Sequence, residues 1–157
     1  MVGSAPYADA YTAWQLAGDD PRVRFLGGVW DQDLLDQLYA HALTNLHGHS
    51  VGGTDPSLLR AIGAAAPTTA FDVVFNREVL GPDGLYFVGP ADVAASVDRA
   101  ERDVDGEVAR GKRLQGRAVD YDWDRVADGY ERLAYDLVAR RTPAPHPHAP
   151  PHGRMTA

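Results

Sequence analysis

The 157-residue chain contains no cysteine, so disulfides and thiolate metal sites are excluded. Lysine is nearly absent: Lys112 stands alone and arginine supplies the remaining positive charge. The formal net charge is -7, and no dense basic patch offsets it. Such a chain repels a nucleic acid backbone, so a nucleic acid partner is excluded. No apolar run reaches the roughly 18 residues that span a bilayer. Met1-Val2-Gly3-Ser4-Ala5-Pro6 lacks the basic and apolar regions of a secretory signal. The expectation is a cytoplasmic protein. Its hydrophobic fraction of 45% is ordinary for a globular domain. A single domain of this length buries roughly two-thirds of its unfolded surface.

Short apolar runs alternate with helical patterns, which predicts β-α-β units around a parallel sheet. Strands are expected at Val23–Leu26, Leu43–Leu46, Thr68–Phe71 and Leu85–Val88. The spacing predicts a helix from Asp31 to Ala42, with Leu34, Leu35, Leu38 and Ala42 as its buried face. Asp31 suits the N-cap, and Trp30 and Leu35 have the spacing of a hydrophobic staple. A second helix is expected over Asp55–Ala64, and one or two helical turns over Phe75–Leu80. Further helices are expected over Ala91–Arg102 and Gly106–Asp120. Asp122–Val138 carries the clearest amphipathic pattern, with Trp123, Val126, Tyr130, Leu133, Ala134 and Leu137 on one stripe. After Arg141 the prolines forbid helix and central strand, so a Pro/His-rich disordered tail is expected over 142–157.

The segment His47-Gly48-His49-Ser50-Val51-Gly52-Gly53-Thr54-Asp55-Pro56-Ser57-Leu58-Leu59-Arg60 joins an expected strand to an expected helix. Glycines allow positive φ and close approach of a ligand to the main chain. Thr54 or Asp55 can cap the helix, and Pro56 suits its first position. Free N–H groups and the helix dipole at such an end favour an anion. The carboxyl end of a strand is also where open α/β sheets bind ligands. The bland alternative is a glycine corner that binds nothing. Asp55 counts against a phosphate, because its carboxylate competes for the same amides. The spacing matches neither a Walker A loop nor the dinucleotide fingerprint.

Other candidates are thinner. His47 and His49 share a face of an extended segment and have metal-ligand chemistry, but lack a third ligand. His146, His148 and His152 belong to the biased tail. Asp72 and Glu78 are a possible carboxylate pair, or surface and capping groups. Ser50 lacks the glycine elbow of a hydrolase nucleophile.

The order of several segments resembles one family. They are Val23-Arg24-Phe25-Leu26-Gly27, Leu34-Leu35-Asp36-Gln37-Leu38-Tyr39, His47–Arg60, Gly63-Ala64-Ala65-Ala66-Pro67, Phe71-Asp72 and Asn76-Arg77-Glu78-Val79-Leu80-Gly81. The resemblance is to the C-terminal domain of GT-B glycosyltransferases of family 4, the glycosyl transferases group 1 domain. His49-Ser50-Val51-Gly52-Gly53-Thr54 looks most like bacterial rhamnosyltransferase-type members. Asp122-Trp123 before a long helix is similar to the family's C-terminal ending. The likeness runs from about Gly3 to Leu137, and the expected domain is 1–141.

That resemblance implies a Rossmann-like three-layer α/β domain, one half of a GT-B fold. In such enzymes this half binds the nucleotide-sugar donor, and an N-terminal half binds the acceptor. A hexose or deoxyhexose then passes to a saccharide or lipid hydroxyl, in cell-surface polysaccharide synthesis, with no cofactor and no metal. Gly27 and Val29 match positions near the base. Ser50, Gly52, Gly53 and Thr54 match positions near the sugar and phosphates.

Arg60 takes the place of a glutamate that holds the ribose. The family carries two glutamates eight positions apart; here Gly52 and Arg60 stand there, and arginine cannot accept a hydrogen bond from ribose. The upstream basic segment and the acceptor half are not in the sequence. The expectation is a donor-binding domain without transfer activity alone, completed by a separate acceptor-domain chain or a homodimer. The alternative is a non-catalytic α/β remnant that binds a nucleotide or a partner.

Overall fold

Aspartate side chains start most of the helices. The computed structural model describes residues 20–139. Asp31 accepts from the Asp33 and Leu34 amides and opens α1 (Gln32–Ala40). Asp55 accepts from Ser57 and opens α2 (Pro56–Gly63), with Pro56 in the first turn where its missing N–H costs nothing. Asp103 opens α5 (Val104–Arg117) and Asp122 opens α6 (Trp123–Val138). Two helices lack a side-chain N-cap: α3 (Val74–Leu80) and α4 (Pro90–Arg102). In α4 the Asp92 carboxylate reaches back to the Val88 and Gly89 amides instead.

Three short strands, β1 (Asn45–His47), β2 (Thr68–Phe71) and β3 (Leu85–Phe87), form a parallel sheet in the order β1-β2-β3. Asn45 pairs with Thr68 and Ala70 with Tyr86. Parallel neighbours need a crossover, and α2 and α3 supply the two. The fold is the Rossmann-like α/β class expected. The residues divide into two units between Val119 and Asp120. None of the described helices is long and apolar enough to cross a membrane.

The core of the first unit centres on β2 and α2. Leu58, Ala61, Ile62, Val79, Leu80 and Leu114 have no exposure. Burying each leucine or isoleucine contributes about 1.5–3 kcal/mol. Ala64 caps α2, Ala65 follows at φ 57, and the Ala65 and Ala66 amides return to Ile62 and Ala61. That is a Schellman ending with alanine where glycine is usual. Gly111 of α5 lies against it: a Cβ there would stand 2.0 Å from the Ala65 carbonyl. Beside it runs a buried ion pair. Arg110 binds Glu107 through two nitrogens and donates to the Thr68 carbonyl at 2.6 Å, with both side chains almost fully buried.

Several sequence expectations need correcting. Val23–Leu26 forms no strand; only Gly27 joins a one-residue bridge. β1 begins two residues late and includes His47. Trp30 is 83% exposed and makes no staple, and Leu34 is 50% exposed rather than buried. Only Leu35, Leu38, Tyr39 and Ala42 are half-buried on that side. α5 starts at Val104, because Asp103 is its cap, and gives way at Arg117 to a 3-10 turn over Ala118–Tyr121. The 142–157 tail lies outside the described residues.

In the second unit, α6 forms as its periodicity predicts. Its stripe is open, with Trp123 and Tyr130 more than two-thirds exposed.

Candidate functional site

β1 ends at His47 and α2 begins at Pro56, so the candidate turn runs from Gly48 to Asp55. Two features shape it. Gly52 has φ 130, and a Cβ on it would sit 2.9 Å from His49 Nε2, so only glycine fits. The second is Asn76, fully buried on α3. Its Nδ2 donates to the His49 carbonyl at 3.0 Å and to the Phe71 carbonyl at 2.9 Å. One side chain thereby ties the turn to the end of β2. Its Oδ1 has no partner. The sequence signal was legible in principle: Asn76 shares a helical face with buried Val79 and Leu80, where an apolar residue is expected.

The α2 N-terminus is already satisfied. Asp55 Oδ1 takes the Ser57 N–H at 2.7 Å and the Ser57 hydroxyl at 2.6 Å. The Asp55 carbonyl takes the Leu58 and Leu59 amides. The turn itself is different. Among the described residues, no acceptor meets the backbone N–H groups of Ser50, Val51, Gly52, Gly53 or Thr54. Residues Ser50 to Thr54 are exposed, Val51 to 81%. The open main-chain donors therefore lie in the turn rather than at the helix end.

The histidines differ. His47 is 9% exposed, its Nε2 has no partner, and burial lowers its pKa below 6.5. His49 Nδ1 lies 3.6 Å from Asp55 Oδ2, and its ring meets Phe75 edge-on at 5.8 Å. Burial pushes the Asp55 carboxyl up, but the two Ser57 hydrogen bonds and the nearby histidines outweigh it and hold it low. No group of three possible metal ligands occurs among the described residues. Asp72 is not paired with Glu78; Arg77 grips it at 2.5 and 2.7 Å and stacks on Tyr86 at 4.3 Å.

Not all the sequence candidates gather. Ser50, Gly52, Gly53 and Thr54 share the turn. Leu26, beside Gly27, lines one cavity with Gly48 and Ser57. Val29 is half-buried. Arg60 is committed elsewhere: it donates to Asp36 at 2.6 Å and to the side chain and carbonyl of Gln32. This clamps α2 to α1, and the hydrogen bond to Arg60 lowers the Asp36 pKa. Arg60 faces a separate recess with Gln37 and Ala40.

No protein-family model matches the chain, and no curated protein sequence matches it. A solved structure does: the crystal structure of the GtfA/B complex, at TM-score 0.65 and 21% identity. The match covers 87% of this chain but 29% of that one. The likeness establishes a glycosyltransferase-like fold, as one Rossmann-like half of the GT-B arrangement.

Proposed function

We propose that this chain is a donor-binding half of a glycosyltransferase and holds the diphosphate of a nucleotide sugar on the Ser50–Thr54 amides. The unpaired run of N–H groups beyond the carboxyl end of β1 carries this reading. Successive main-chain donors form an anion-binding concavity without needing a lysine. Phosphate oxygens accept such bonds strongly because they are charged. The sugar is a hexose or deoxyhexose, of the rhamnosyltransferase type, and Gly27 and Val29 flank the base. Arg60 is held by Asp36, so it adds no charge to the diphosphate.

The isolated chain transfers nothing. Glycosyl transfer needs donor and acceptor fixed together in one cleft, and the described residues hold a single three-stranded sheet. Binding is weak, with a dissociation constant of about 1 mM, since few donors contribute and Ser50–Thr54 holds no lysine or arginine. Equilibrium binding of nucleoside diphosphates, monophosphates and nucleosides tests the reading. Diphosphates are expected to bind best and to lose affinity when Gly53→Pro removes one N–H. Equal binding of all three, or none, rejects the diphosphate site.

A further inference from the structure

His49 stands in the candidate turn with its ring fixed on several sides. Nδ1 faces the Asp55 carboxylate at 3.6 Å. The ring meets Phe75 of α3 edge-on at 5.8 Å and lies 6.0 Å from the His47 ring. The His49 carbonyl is held by Asn76 at 3.0 Å. The second ring nitrogen, Nε2, lies against Gly52, where an added Cβ would stand only 2.9 Å from it. It therefore sits beside the open amides of Ser50–Thr54, and it makes no hydrogen bond among the described residues. The side chain is 39% exposed, so a ligand on those amides can reach it. The cations of the two flanking helices are engaged elsewhere, Arg60 with Asp36 and Arg77 with Asp72.

Building on the diphosphate reading of this turn, we propose that His49 is the cation of the site: its protonated ring donates one charged N–H, from Nε2, to a diphosphate held on the Ser50–Thr54 amides. A carboxylate beside one ring nitrogen commonly fixes which way the other faces, and Asp55 stands in that place. The pair also removes the objection that Asp55 raises against an anion, because the imidazolium offsets the carboxylate charge. A hydrogen bond between two charged groups is roughly twice as strong as a neutral one, so the ligand binds more tightly to the protonated ring. Histidine gains its charge between about pH 8 and pH 5, which couples binding to pH. The titratable groups facing the ring are Asp55 and His47; α3 presents Phe75 there. Burial raises the Asp55 pKa, but the Ser57 hydrogen bonds and the histidines hold it below 3.8, so its charge is constant through that range. Burial lowers the His47 pKa below 6.5, so His47 titrates within the range and is tested separately.

Titration of the full chain with dimethyl diphosphate, followed by NMR at constant ionic strength, tests this. The probe carries one methyl on each phosphorus, so it keeps two charges and no proton that titrates in this range. Its affinity, read from the Ser50–Thr54 amides, is expected to rise about tenfold from about pH 8 to about pH 5.5. The His49 ring signals of the wild type are expected to move with those amides. His49→Gln is expected to abolish the rise and to leave the affinity at the higher pH nearly unchanged. His47→Gln is expected to keep the rise. Binding at those amides without pH dependence, an unmoved His49 ring, a rise that survives His49→Gln, or one that vanishes with His47→Gln overturns the role of His49 and leaves the diphosphate site standing. No response of those amides at either pH overturns both.

Discussion

Replacing Asn76 by alanine tests how the candidate turn is held. The side chain makes two hydrogen bonds, to the His49 and Phe71 carbonyls. Each contributes about 1 kcal/mol net. The void left by the carboxamide costs about 1 kcal/mol more. Deleting the unpartnered Oδ1 returns about 1 kcal/mol. The sum predicts a loss of about 2 kcal/mol, or a fall in Tm of roughly 4–8 °C for a chain of this size.

The Phe71 carbonyl keeps its bond from the Val73 amide, whereas the His49 carbonyl keeps no other partner among the described residues. The looseness should therefore fall on the turn. Urea denaturation measures the first effect, and hydrogen exchange at Ser50–Thr54 measures the second. Asn76→Asp should be worse than alanine, since it points a buried carboxylate at two carbonyls. A change below about 0.5 kcal/mol with unchanged exchange would refute the assignment of Asn76 as the tie.

Two further outcomes follow from buried polar groups. Burial depresses the His47 pKa, with Asp55 opposing and His49 adding to the effect. The unfolded chain therefore binds the proton more readily, so stability is full above pH 6.5 and declines as pH falls through the folded value. His47→Gln should flatten the pH dependence of the unfolding midpoint in that window, where Asp36 and Asp72, with lowered pKa values, stay ionised. Arg110→Met strands Glu107 in the core and should cost about 3–5 kcal/mol by urea denaturation. Changing Glu107 and Arg110 together to apolar residues should cost much less.

Local chemistry made much of this fold legible. Asp31 and Asp55 cap helices because a short carboxylate reaches the second or third amide wherever the chain turns in from an extended residue. Strand and helix periodicity placed β2, β3, α2 and α6 closely. What depends on distant neighbours was not readable. Val23–Leu26 has strand composition, yet a strand needs a paired neighbour along its length, and composition does not supply one. The role of Arg60 depends on Asp36, 24 residues away, which only the packing of α1 on α2 reveals. Glu107 and Arg110 look like ordinary surface charges of an amphipathic helix; their burial is fixed by the Thr68 carbonyl, 42 residues from Arg110.

The turn itself was legible from its glycines. Sequence reasoning offered the turn and the helix start together as an anion site, and at the helix start Asp55 occupies the Ser57 amide. The open donors lie just before it.

Mapping a nucleoside diphosphate titration onto the backbone amides by NMR tests that claim most directly. The account predicts progressive shifts confined to Ser50–Thr54, with Gly27 and Val29 following if the base docks there. Shifts centred on Ser57–Leu59, or none at millimolar ligand, would contradict it.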